Sequence, residues 1–526
     1  MQREQSQEHQ ISGAFGTINT HDEGNRRGAR ARFLTLIAII GPGLIVMVGD
    51  NDAGGVSTYA QAGQNFGYSL LWTLPLLIPV LIINQEMVAR LGAVTGVGHG
   101  RLIRERFGRY WGNVSISSIL LLNFLIIITE FIGISLSMRY LGVSPYISVP
   151  LAVVLLFAVT ASGSFQRWER FMMIFVALNF VIVPLVLVAH PHLSNVVSHS
   201  VIPSIRGGAN STSVLLIISI IGTTVAPWQL YFQQSNIVDK HITPRWLNYE
   251  RIDTVLGSLI VVIAAGALIS VTAAGLSGHG GTGTYTNALG VAQGLGHRLG
   301  HSAGVLFAIL LLNASVIGAA AVTLASSYAL GDLSGSRQSL DSRVRDAKGF
   351  FGAFGGLLIV AGVVTLIPGA PLGLITLAVQ AMCGLMLPST TIFVLLLCND
   401  REVLGPWVNS KWLNAVASVV VTLLVVLSIT MMISTLFTSV NVVELLKVLS
   451  IMGAVGLIVG LPLGLRRMAN PLETTIDKRD WRTPRLTLLA PQASSLARRI
   501  LLRGVASYLV IAGTLLLVRI IQLGTS

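Results

Sequence analysis

The stretch Gly49-Asp50-Asn51-Asp52-Ala53-Gly54-Gly55 interrupts an otherwise apolar run that starts near Phe33 and ends near Phe66. In lipid, backbone N–H and C=O groups must be satisfied within the spanning segment, and irregular backbone is tolerated only where it lines a cavity. Two carboxylates at membrane depth are costly and mark function by default. A second apolar run is broken at Gly222-Thr223-Thr224-Val225-Ala226-Pro227-Trp228. There Pro227 removes a helical donor and crowds the preceding turn. Counted along the chain, the breaks fall in the first and the sixth spans. Interrupted spans at corresponding places in two halves point to a transporter of inverted five-helix repeats with a site at the bilayer midplane.

The rest of the chain agrees with a membrane setting. Of its 526 residues 53% are hydrophobic and only 11% are charged, where a soluble chain carries about 25% charged residues. A soluble enzyme, a disulfide-stapled secreted domain and a disordered scaffold are excluded as descriptions of the whole. Apolar blocks of about 20 residues can each cross a bilayer as helix. They fall at 33–66, 68–89, 113–138, 147–163, 171–189, 213–238, 254–276, 305–330, 351–368, 372–398, 413–436, 445–465 and 504–522, giving about thirteen crossings. The predicted fold is an all-α integral membrane protein with 12–13 transmembrane helices, the first and sixth broken.

The chain divides into a polar, disordered cytoplasmic tail (1–32), a first repeat (33–189), a second repeat (213–398) and additional C-terminal helices (413–526). A basic segment, 466–503, is expected along the inner membrane surface. With the N-terminus placed inside, 30 of the 35 Lys and Arg fall on inner segments, as topology charges do. The net charge of +13 is therefore no sign of nucleic-acid binding. A multi-pass protein of the plasma membrane with a cytoplasmic N-terminus is expected. The Gly- and His-containing stretch 277–303 reads as an external connector. Cys383 and Cys398 share one apolar block without metal-ligand spacing, and no G-x-S-x-G, H-E-x-x-H or phosphate-loop motif sits in a suitable context.

Several motifs resemble those of Nramp divalent-metal transporters. Gly41-Pro42-Gly43 through Gly55, with Gln61-Ala62-Gly63 and Leu70-Leu71-Trp72, is similar to the family's first helix. Ala89 to Gly96 resembles the end of the second, and Thr129-Glu130-Phe131-Ile132-Gly133 the third. Gly222 to Ser235 lies where the sixth-helix motif belongs, and Gln380 with Leu387-Pro388 matches a tenth-helix pattern. The resemblance covers roughly 33–400 and implies a LeuT-like 5+5 inverted repeat, a divalent cation as cargo and no cofactor. The chain departs from the family at three places. Asp-Pro-Gly-Asn is replaced by Asp52-Ala53-Gly54-Gly55, Met-Pro-His by Ala226-Pro227-Trp228, and the third-helix Asp-x-x-Glu keeps only Glu130.

The resemblance places Asp52, Asp50, Thr223, Ala226 and Gln380 around the ion, with Gly54, Gly55, Trp228 and Gln229 lining the cavity. Loss of a thioether leaves oxygen donors, which suit Mg²⁺, Ca²⁺ or Mn²⁺. The site thus resembles the Nramp-related magnesium branch, with Mg²⁺ or Mn²⁺ favoured and weak or absent proton coupling. Glu130 is either a proton relay or a bundle-facing partner. Asp50 and Asp52 have a second role open to them, the N-cap of the following half-helix, and it falls to Asp50 more readily than to Asp52. Glu86 and Arg90 read as a structural i, i+4 pair; Asn84, Gln85 and Asn313 read as interhelical hydrogen bonders. A same-fold carrier of a small organic cation or amino acid, and a non-transporting membrane receptor, are the alternatives. Besides the ion, the lipid bilayer is the only partner the sequence implies; oligomeric state is not legible.

Overall fold

The computed structural model describes residues 10–19, 28–278, 282–335, 339–437, 440–466, 477–489, 502–511 and 513–514. Two short strands, β1 (Gln10–Gly13) and β2 (Gly16–Asn19), form an antiparallel hairpin. The helices follow as α1 (Ala29–Ile39), α2 (Pro42–Val48), α3 (Ala53–Phe66), α4 (Thr73–Thr95), α5 (His99–Phe107), α6 (Arg109–Tyr140), α7 (Pro145–Thr160), α8 (Phe165–Leu178) and α9 (Ile182–Ala189). Then come α10 (Leu193–Val201), α11 (Ser211–Thr224), α12 (Pro227–Asp239), α13 (Leu247–Leu276), α14 (Ala288–Leu299), α15 (His301–Ser334), α16 (Lys348–Thr365) and α17 (Leu372–Cys398). The short α18 (Arg401–Leu404), α19 (Lys411–Leu436) and α20 (Val442–Arg466) complete the series, followed by a final helical stretch, Leu502–Ile511.

Among the described residues ten helical segments are long and apolar enough to cross a membrane, or eleven if α1 and α2, bent by 55°, form one span. Two shorter apolar helices, α7 and Leu502–Ile511, account for the remaining apolar blocks of the sequence. The two breaks lie where the residues demand them. Between α2 and α3 the backbone tightens, with Asp50 N–H donating to Met47 O and Asn51 N–H to Val48 O, both at 3.2 Å. Between α11 and α12 it runs extended through Ala226, and Pro227 starts the second half. Pro at a first helical position gives up an N–H that would be unsatisfied anyway. The broken pieces sit inside the bundle: α3 packs along α13 and α11 along α17, while α6 runs beside α15. Gly222 lets α11 meet α17 backbone to backbone, since a Cβ there would overlap Gly384 N and Gln380 O.

Three expectations about the periphery change. Residues 10–19 are an ordered hairpin, not a disordered tail. The register pairs Ile11 with Ile18, so both isoleucines share one face, and both are buried with Ala38 and Ile39. Four or five polar residues around each isoleucine hide that face from a composition count. Within the stretch 277–303, residues 288–299 form helix α14, capped by the Asn287 side chain accepting from Gly290 N–H at 3.1 Å. Ala288, Val291, Ala292 and Leu295 form its buried stripe, a helical period diluted by glycine in the sequence. The described part of the basic segment, 477–489, docks on protein: Trp407 Nε1 donates to Lys478 O at 2.7 Å and Thr483 Oγ1 to Val403 O at 2.7 Å. Residues 467–476 and 490–501 lie outside the described residues.

The network around Glu86 is denser than one pair. Glu86 accepts from Arg90 at 3.1 Å and also from Arg251 at 2.7 Å. Arg90 further donates to Trp407 O and Asn409 Oδ1. Gln85 bonds Gln229 across α4 and α12 at 3.1 Å, and Asn313 bonds Phe175 O at 3.0 Å, as interhelical residues should. Asn84 is the exception: it is fully buried, and neither end of its amide has a partner among the described residues.

Candidate metal site at the two helix breaks

The α2–α3 break gives its two carboxylates different environments. Asp52 is the N-cap of α3, and its Oδ1 accepts from Gly55 N–H at 2.7 Å. Capping requires a side chain directly before the first helical residue that reaches three positions on. Asp52 stands there and Asp50 does not, so the cap falls to Asp52, the less expected of the two. Glu130 of α6 completes the start of α3, its Oε2 accepting from Ala53 N–H at 3.0 Å. Two of the orphan N–H groups at that helix end are thereby held by carboxylates.

Asp50 is fully buried, and neither of its carboxylate oxygens has a hydrogen-bond partner among the described residues. Its polar neighbour is Gln229 of α12, whose Nε2 makes no well-formed hydrogen bond. A buried unpaired carboxylate costs several kcal/mol even after relaxation. Such a group takes up a cation or a proton.

Groups from the second break and from α17 converge on the same place. A Cβ at Gly55 would stand 2.9 Å from Asp50 O and 3.1 Å from Thr223 Oγ1, so the α3 backbone threads between them. Thr223 Oγ1 is buried and unpartnered. The Thr223 carbonyl loses its i+4 helical donor because residue 227 is proline. A Cβ at Gly54 would overlap the Gln380 amide, which therefore lies flat against the α3 backbone with Nε2 unpartnered. Trp228 is fully buried, and its ring edge would meet a Cβ at Gly49 at 3.5 Å, closing the site on that side. The Ala226 carbonyl already accepts from Gln229 N–H at 3.2 Å.

The structure thus gathers Asp50, Asp52, Gly54, Gly55, Thr223, Gln229, Gln380, Trp228 and Glu130 around one point. Among the described residues no group of three or more His, Cys, Asp or Glu side chains is arranged to hold a metal ion. A cation here has to draw on carboxylate, carbonyl, hydroxyl and amide oxygen together.

Two contributors escaped the sequence reading. Tyr59 is fully buried and bonds Thr224 Oγ1 at 2.7 Å, tying α3 to the end of α11. It stands seven residues after Asp52, two turns along one helix face, and that spacing was the available signal. Gly318 of α15 lies against the acids, since a Cβ there would be 3.0 Å from Asp52 Cβ and would overlap Glu130 Oε2. One glycine among 54 gives no such notice.

This geometry has counterparts in known proteins. The profile of the family described as natural resistance-associated macrophage protein-like matches residues 43–434. The chain belongs to the Nramp family. Its members are transporters rather than enzymes, and metal is their cargo, not a cofactor. The fold resembles that of the Eremococcus coleocola manganese transporter in complex with an aromatic bis-isothiourea substituted compound. That structure aligns with a TM-score of 0.62 at 19% identity, over 86% of this chain and 99% of that one. Two mutant structures of the same transporter align with TM-scores of 0.62 at 19% identity, over 87% of this chain and 99% of theirs. At that identity the likeness speaks for the fold, which is the LeuT-like inverted repeat. This Nramp chain is a multi-pass membrane protein, and both helix breaks read from its sequence are present in the fold.

The tight seat of Gln380 gives a test within the site. Gly54→Ala is expected to lower the initial rate of metal uptake by about tenfold, equal to 1.4 kcal/mol, because the new methyl pushes the amide off α3. Thermal stability should fall only modestly, since the clash runs along one side chain, from Gln380 Nε2 to Cγ, and meets no backbone. Unaltered uptake would mean that Gln380 plays no part at the ion.

Proposed function

We propose that this Nramp protein carries a hard divalent cation, Mg²⁺ or Mn²⁺, by alternating access, without obligatory proton coupling. The observation that carries the reading is Asp50, a fully buried carboxylate with both oxygens unpartnered, facing the junction of the two breaks. Asp50 is the ligand with free capacity. Asp52, whose Oδ1 caps α3, adds a second carboxylate, and the Thr223 carbonyl and Gln380 complete an oxygen-donor set. No soft donor from the second break replaces the family's thioether, so the site favours hard cations. Mg²⁺ parts with its water reluctantly and keeps several waters when bound, which suits a site without a full ring of charged ligands. Transport would rock the bundle holding the broken helices against the remaining scaffold. The N-terminus is placed on the cytoplasmic side of the plasma membrane, as the distribution of Lys and Arg supports.

Two features support weak proton coupling. Glu130 gives one oxygen to the α3 backbone and meets the Asp52 carboxyl, the place of a bundle-facing partner to that acid. The buried histidine among the described residues, His99, bonds Gln234 at 2.8 Å, and burial holds its imidazole down at about 4. Its folded value lies below the ordinary one near 6.5, so it stays neutral above about pH 5 and does not titrate across the physiological range. Uptake of Mg²⁺ and Mn²⁺ into proteoliposomes should therefore proceed without a pH gradient, slowing only toward about pH 6 as protons compete for the buried carboxylates. An imposed pH gradient should not drive it. Uptake that follows the proton gradient would overturn the uncoupled reading, and no uptake of either ion by folded protein would overturn the choice of cargo.

A further inference from the structure

The N-terminal hairpin is bolted to the inner half of the first broken span through a completely buried ion pair. Glu169 of α8 and Lys240 at the end of α12 meet at 2.6 Å with neither side chain exposed. Both oxygens of Glu169 are used. Oε1 takes Lys240, and Oε2 accepts from Ala14 N–H at the hairpin turn at 2.5 Å. Lys240 Nζ also donates to Ile39 O at 2.7 Å and Ile40 O at 3.3 Å, the carbonyls at the bend between α1 and α2. On the far side of that bend Asp253 of α13 accepts from Gly41, Gly43 and Leu44 N–H at 3.1, 2.8 and 3.1 Å.

The hairpin has two further fastenings on α8. Arg170 Nε donates to Ala14 O at 2.8 Å and Gln166 Nε2 to Gly13 O at 3.0 Å. Gly13 sits so close to α1 that a Cβ would overlap Ala38 O, and Ile11 and Ile18 bury their side chains in the same seam. One carboxylate therefore joins three parts at once: the hairpin, the end of the sixth span and the root of the first. The bend that carries α2 cannot move outward without pulling Ile39 and Ile40 off Lys240 and lifting Ala38 from the hairpin.

From this we infer that residues 10–19 form an inner latch, an autoinhibitory contact that holds α2 against α8, α12 and α13 and must leave before the site opens toward the hairpin's side of the protein. The inference rests on the transport reading for its purpose, but its test does not. The latch is built from hydrogen bonds and two isoleucines, a modest interface that can release and reseat in each cycle. Local opening of this kind is what amide hydrogen exchange measures.

The full-length protein in detergent or nanodiscs would be compared with Gly13→Leu, which cannot keep its contact with Ala38. A second variant, Gln166→Ala with Arg170→Ala, would remove the two α8 fastenings and leave the membrane core alone. In both variants, exchange is expected to rise by about tenfold or more in residues 10–19 and also in 36–48, while 53–66 exchanges as in wild type. Fast exchange of 10–19 with unchanged 36–48 would overturn the latch. So would protection of 10–19 equal to wild type in both variants, because the contacts would then not be what holds the hairpin. Uptake of Mn²⁺ measured on the same preparations separates the two readings. Exchange that responds as expected in a protein that moves no divalent cation would leave the latch standing and remove the transport reading.

Discussion

Replacing Asp50 with asparagine is expected to abolish divalent-cation uptake and to make the protein more stable. The two effects have opposite signs because they have one cause. The carboxylate is fully buried without a well-formed hydrogen bond, so the fold bears a desolvation cost that a bound cation or a proton has to offset. Asparagine keeps the shape and removes the charge. Relief of the unpaired group should raise unfolding free energy by about 1–3 kcal/mol, seen as an upward shift of a few degrees in metal-free thermal melts. Loss of one charged ligand should weaken ion binding by about 2.8 kcal/mol or more, roughly a hundredfold. Wild type should gain stability from added Mg²⁺ or Mn²⁺ by mass action, and Asp50→Asn should not. A variant that melts lower and still transports would show that Asp50 is a structural group.

The largest loss of stability is expected from Gly222→Ala. At this point α11 and α17 approach without side chains between them, and the new methyl would overlap Gly384 N and Gln380 O and lie 2.7 Å from Gly384 Cα. Backbone cannot turn aside as a side chain can. The helices must part, and overpacking of this kind costs about 1–3 kcal/mol and on occasion more. The upper part of that range is expected. Parting the helices also draws Thr223 and Gln380 away from α3, so uptake should fall together with the melting temperature. Equal stability of Gly222→Ala and wild type would contradict the close approach, whatever happened to transport.

These two residues show what the sequence made legible. Asp50 stands out because a carboxylate inside an apolar run is expensive, and no local context hides it. Its division of labour with Asp52 was harder to read. Which acid caps a half-helix depends on where that helix begins, to within one residue, and three consecutive small residues blur the start. Gly222 was legible as part of a break, but its contact with Gly384 joins residues far apart in sequence. Gly318 and Tyr59 failed to appear for the same reason: close approach across helices leaves no local pattern. The hairpin was missed because two isoleucines on opposite strands become one apolar face only after the chain has turned. The broken spans themselves were read correctly because proline and paired carboxylates act on their own backbone.

The way α3 is begun has a consequence for the unloaded half of a transport cycle. Gly55 N–H is held by Asp52 and Ala53 N–H by Glu130, both from within the protein. The discontinuity between α2 and α3 therefore does not depend on a passenger to keep its ends satisfied. After release, the first span has no incentive to anneal into one continuous rod. The return stroke can be made by bodies that keep their shape, and no helix has to be remade before the next ion is taken up.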